Sequence, residues 1–94
     1  MTPSADALTI DLFIDSRSVR PKDADLDIKR GRNVLLVTHT DHDVSITVTG
    51  AGIDKTVAVG RLMTIVTAFV ANEVGTITVR STDPAATQVR LHVT

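Results

Sequence analysis

Ninety-four residues make one small domain, and 13 Val, 7 Ile and 14 Thr fill 34 of the positions, a β-branched content that favours strands over helices. The absence of cysteine excludes disulfides, thiolate nucleophiles, iron–sulfur clusters and thiolate-bound zinc or copper. Ten Lys and Arg against eleven Asp and Glu, with two Phe and no Trp or Tyr, supply neither a positive field for phosphate backbones nor platforms for base stacking, so nucleic-acid binding is not expected.

Residues 1–6 read as a loose leader, and residues 7–94 as the domain. The leader has no basic region and no apolar stretch, so either the protein is cytoplasmic or a leader lies outside this chain. Leu8, Ile10, Leu12 and Ile14 then alternate with Thr9, Asp11, Phe13 and Asp15, the pattern of a half-buried strand. Ser16 to Lys22 is a polar break around Pro21, and Leu26 and Ile28 suggest a short strand closing at Arg30-Gly31-Arg32-Asn33. Val34 to Val37 is continuously apolar, as expected of a strand covered on both faces. It runs out into a polar loop, Thr38-His39-Thr40-Asp41-His42-Asp43.

Val44, Ile46 and Val48 form the next alternation, ended by Gly50-Ala51-Gly52, and a small strand follows over Thr56 to Val59. Leu62 to Val70 has the length of a short helix, but its consecutive Thr64, Ile65, Val66 and Thr67 disfavour helix and predict a strand. Beyond Gly75, Ile77 and Val79 alternate with Thr76, Thr78 and Arg80; Asp83-Pro84 marks a turn; and Val89, Leu91 and Val93 alternate with Gln88, Arg90 and His92. Seven or eight strands at intervals of roughly 8–12 residues, with no room for crossover helices, define an all-β, single-domain Greek-key sandwich or barrel.

The order of these signals resembles the cupredoxin family. The resemblance rests on Leu26-Asp27-Ile28-Lys29-Arg30-Gly31-Arg32-Asn33-Val34 before the buried strand, Asp41-His42-Asp43-Val44-Ser45-Ile46, and Gly50-Ala51-Gly52-Ile53. It continues through Phe69-Val70-Ala71-Asn72-Glu73-Val74-Gly75-Thr76-Ile77 and Val89-Arg90-Leu91-His92-Val93. It implies that the first strand runs parallel to a neighbour and that the strand from Val34 pairs with the one from Gly75. In copper-bearing members the first histidine ligand precedes a strand, where His42 stands, and the cysteine ligand falls at Ser81. The following Thr82-Asp83-Pro84-Ala85-Ala86 offers neither the second histidine nor the methionine. The resemblance thus implies the scaffold without its mononuclear copper chemistry, in an extracytoplasmic setting.

Two imidazoles and two carboxylates within His39-Thr40-Asp41-His42-Asp43 are donor types for Cu(II), Ni(II) or Zn(II), and the same side chains suit a solvated strand-end loop. His92, expected to face solvent, would complete a three-histidine site if it came near. Met63 and Phe69 are expected in the core. Arg17, Arg20 and Lys22 form a basic stretch offset by Asp23, Asp25 and Asp27. Ser45 or Ser81 beside a histidine could supply a nucleophile and base, but the chain has no nucleophile elbow, phosphate loop or dinucleotide fingerprint, and an enzymatic role is not expected. Three functional readings follow. The leading one is a non-catalytic binding or structural module with no cofactor, for an unknown protein partner. A copper- or zinc-handling protein using His39 and His42 is the second, and an immunoglobulin-like adhesion or assembly module is the third.

Overall fold

The computed structural model describes residues 8–15, 17–20, 22–82 and 85–94, so the expected leader and the Asp83-Pro84 turn lie outside the described residues. Nine strands and no helix occur among them: β1 (Leu8–Ile14), β2 (Val19–Arg20), β3 (Ala24–Ile28), β4 (Arg32–Thr40), β5 (Val44–Gly50), β6 (Ile53–Val59), β7 (Thr64–Ala71), β8 (Gly75–Thr82) and β9 (Ala85–Val93). They form a four-stranded sheet in the order β2-β1-β4-β7 and a five-stranded sheet in the order β3-β9-β8-β5-β6. Between the sheets, Leu12, Val34 and Leu36 from the first meet Ile46, Val48, Ile77, Val79, Val89 and Leu91 from the second in one buried core. This is the all-β sandwich that the period-two alternation predicts.

The first strand does run parallel to a neighbour: β1 pairs with β4 in parallel from Leu8↔Val34 to Ile14↔Thr40. A second parallel pair, β3 with β9, runs from Ala24↔Val89 to Ile28↔Val93. The expected pairing of the Val34 strand with the Gly75 strand is not found. β4 pairs with β1 and antiparallel with β7, while β8 lies in the other sheet between β9 and β5.

Other expectations are corrected in detail. β4 is not covered on both faces: Val34, Leu36, Thr38 and Thr40 point inward, and Leu35, Val37 and His39 lie half-buried on the outside. The apolar run reflects a central strand whose outer phase also carries Leu and Val. Thr38, His39 and Thr40 belong to β4 rather than to a loop. The polar break after Ile14 contains β2, joined to β1 by Ile14↔Val19, and β6 starts at Ile53 rather than Thr56. Met63 precedes β7 and is 51% exposed, not core, whereas Phe69 is buried as expected. Gln88 is fully buried rather than facing solvent. A bulge between Val79 and Arg80 in the β8–β9 ladder, with Val79↔Val89 followed by Arg80↔Thr87, inserts Gln88 as the extra residue and breaks the alternation there.

The β5–β6 hairpin closes on Ala51 and Gly52, both at positive φ, the two-residue turn whose twist matches antiparallel strands. Just before it, Gly50 lies against the Thr76 carbonyl, so closely that a Cβ there would strike backbone oxygen.

Candidate functional site

The residues singled out in the sequence are carried by three separate parts of the fold. The 41–43 loop joins β4 of one sheet to β5 of the other and so crosses one end of the sandwich. Thr40 builds it: its Oγ1 donates to the His42 carbonyl at 2.7 Å and accepts the His42 N–H at 3.2 Å. His42 Nδ1 lies 2.6 Å from Asp41 Oδ1, a contact that fixes the ring's orientation. Asp43 Oδ1 accepts the Arg61 N–H at 2.8 Å, and the Leu62 N–H donates to the Thr40 carbonyl at 3.2 Å. Two crossing connections are therefore laced together over this end.

Ser81 belongs to the same end. It sits opposite Ile46 on β5 and Ala86 on β9, is 3% exposed, and its Oγ donates to the Ala86 carbonyl at 3.4 Å. Next to it, Thr82 Oγ1 accepts the Ser45 N–H at 3.0 Å and donates to the Ser45 carbonyl at 3.1 Å. A shallow hollow of about 310 Å³ opens beside them, lined by Asp43, Val44, Ser45, Ala58, Val59, Gly60 and Thr82.

His39 faces outward from the four-stranded sheet. Its ring stacks on Phe13 with centroids 4.7 Å apart and planes 12° from parallel. Its Nε2 lies 3.4 Å from Asp11 Oδ1, and its Nδ1 lies 3.3 Å from Thr64 Oγ1. The Arg20 guanidinium covers Phe13 at 5.3 Å, completing a three-layer stack of cation, aromatic ring and imidazole. His92 is at the opposite end of the β8–β9 ladder from Ser81, across from Thr76. There its Nε2 lies 2.9 Å from Asp25 Oδ1 and its Nδ1 3.3 Å from Thr76 Oγ1. The structure thus brings His42, Asp41, Asp43 and Ser81 to one end, and gives His39 and His92 partners elsewhere. Among the described residues, no group of three or more His, Cys, Asp or Glu side chains could hold a metal ion.

The Arg20–Phe13–His39 stack escaped the sequence reading, although a signal was available. Phe13 occupies the outward phase of β1 between Leu12 and Ile14, and a large aromatic on that phase needs surface partners. The turn that positions Arg20 was also hidden. Asp15 Oδ1 accepts the N–H groups of Arg17 and Ser18 at 2.7 Å each, and these bonds, with smaller help from the Ser18 hydroxyl and Arg20, hold its carboxyl below the ordinary carboxylate range.

Two sheets with a parallel β1–β4 pair, a parallel β3–β9 pair and Greek-key crossings give the chain a cupredoxin fold. Solved structures similar to it include a multi-copper oxidase from Pseudomonas thermotolerans (TM-score 0.66, 13% identity, over 96% of this chain and 30% of that one). A copper nitrite reductase from Nitrosomonas europaea matches with a TM-score of 0.67 at 14% identity, over 93% of this chain and 41% of that one. The M98A mutant of amicyanin in its Cu(I) form matches with a TM-score of 0.58 at 18% identity, over 94% of this chain and 82% of that one. This chain therefore spans less than half the length of the oxidase and the reductase. No protein-family model matches it, and no curated protein matches it significantly. The immunoglobulin-like alternative gives way to the cupredoxin fold, and no helix among the described residues is long and apolar enough to cross a membrane.

Proposed function

We propose that this chain is a non-catalytic cupredoxin-fold module, serving binding or structure, in which the ligand set for a mononuclear copper ion is gone. The observation that carries the reading is Ser81, which is buried and lies at the end of the sandwich where the 41–43 loop crosses with His42. A blue copper centre needs a thiolate flanked by two imidazoles. A serine hydroxyl is a hard, neutral donor, the chain has no cysteine, and His39 and His92 are engaged with Asp11 and Asp25. This donor set does not fit a blue copper ion. An extracytoplasmic setting goes with the same resemblance.

Titration of the full chain with Cu(II) and separately with Zn(II), followed by calorimetry, histidine NMR and visible absorption, tests the reading. The expected result is no saturable one-equivalent binding and no intense red absorption band. Saturable binding that shifts His39 and His42 together would replace this reading with the metal-handling one, and loss of that binding in His42→Ala would locate it. An intense red band would overturn it outright.

A further inference from the structure

The four outer edges of the two sheets are guarded unequally. β2 is two residues long, β3 carries Asp25 and Asp27, and β6 carries Asp54 and Lys55. β7 is eight residues, Thr64-Ile65-Val66-Thr67-Ala68-Phe69-Val70-Ala71, with no charge, proline or glycine, and among the described residues its one ladder partner is β4. Charges, prolines and shortness are how sheets avoid pairing through their edges, and β7 has none of them. Val66 is 59% exposed and Val70 37% on its outward phase.

We propose that β7 is the docking edge for a second copy of this chain, paired antiparallel about a two-fold axis through Ala68. An axis normal to the sheet keeps inward and outward faces in common, so it must pass through a residue rather than between two. Centred on Ala68, the register sets Val66 against Val70, Thr67 against Phe69, Ile65 against Ala71 and Thr64 against Asn72 of the second copy. Directly opposed residues share a face. The exposed valines therefore cover each other, and the buried Thr67 and Phe69 continue the inner layer.

Charge supports the same partner and the same direction. β7 is bracketed by Arg61 before it and Glu73 after it. Antiparallel pairing about Ala68 sets the Arg61 end of each copy beside the Glu73 end of the other, so the charges that meet are of opposite sign. A parallel pairing would set like against like. The product is a continuous eight-stranded sheet, an isologous dimer that closes after two copies.

Sedimentation velocity across a concentration series should show a monomer–dimer equilibrium. Ala68→Lys and Ala68→Glu each place like charges face to face on the axis, and each should weaken dimerisation at least about tenfold. An equimolar mixture of the two should restore dimers, because the charges then oppose with opposite sign. Thr56→Lys on β6 should dimerise as the parent does. Circular dichroism of each variant reports its fold. If the Ala68 variants fail to fold, Val66→Lys and Val70→Glu replace them: each alone sets a charge against a valine and should weaken dimerisation, and the mixture, which sets the introduced lysine against the introduced glutamate, should restore it. A parent that stays monomeric at all concentrations, an Ala68→Lys protein that dimerises undiminished, or a mixture that remains monomeric overturns the proposal.

Discussion

The two sheets share a core yet present opposite surfaces. On the outer face of the four-stranded sheet, Phe13, Leu35, Val37, Val66 and Val70 form an apolar band around His39. On the outer face of the five-stranded sheet, Thr47, Thr49, Thr56, Thr76 and Thr78 make a hydroxyl array edged by Arg80 and Arg90. There Arg90 reaches Asp23 at 3.4 Å and Asp25 at 3.9 Å. Such half-exposed pairs contribute little to stability. The contrast teaches that the inward phase of a strand specifies the fold while the outward phase specifies what the domain can meet. An apolar outward phase is also what made β4 look covered on both sides.

The shared core should respond alike from either sheet. Leu36→Ala in β4 and Leu91→Ala in β9 both remove a fully buried side chain, so each should cost about 3 kcal/mol of unfolding free energy in urea. If one costs far less, the two layers do not share a single core. A smaller effect of opposite sign is expected where the interior holds unpartnered polar atoms. Thr38 Oγ1, from the four-stranded sheet, and Gln88 Oε1, from the five-stranded sheet, are both buried without a hydrogen bond among the described residues. Thr38→Val keeps the shape and removes a desolvated hydroxyl, so it should stabilise by about 1 kcal/mol, read as a higher urea midpoint at unchanged slope. Gln88 lacks so simple a replacement, because its Nε2 donates to the Arg20 carbonyl at 3.3 Å.

The smallest effect is confined to acid. The folded Asp15 carboxyl titrates below its unfolded value. Its contribution is therefore complete above about pH 4 and is lost as pH falls through the folded value. Asp15→Asn retains an acceptor for the Arg17 and Ser18 N–H groups but does not titrate. Its thermal midpoint should fall less steeply than the parent's between neutral and strongly acidic pH, and identical slopes would remove Asp15 from the acid limb.

Alternation alone located β1, β5 and β8, because their inward Ile, Val and Leu recur every second residue beside Thr, Ser or Asp. Gln88 was misread because a bulge is a ladder property: its burial depends on how β9 registers against β8. The pairing of β4 was misjudged for a related reason, since strand order in a Greek key is decided by which edges meet in space. In the candidate site, His42, Asp41 and Asp43 were legible as a cluster. Whether His39 joined them turned on where β4 ends, because the strand runs on past Val37 through Thr40 and sends His39 outward to Phe13.

The parallel pairing of β3 with β9 bears on how the chain comes to be folded. Among the described residues β3 is an edge strand whose one ladder partner is β9, so Ala24 has no place in that sheet until Val89 is there to pair with it. The four-stranded sheet draws all its strands from residues 8–71, whereas β3 docks only against the last strand, and long-range closure of this kind is slow. Docking of β3 is therefore the step that completes the sandwich.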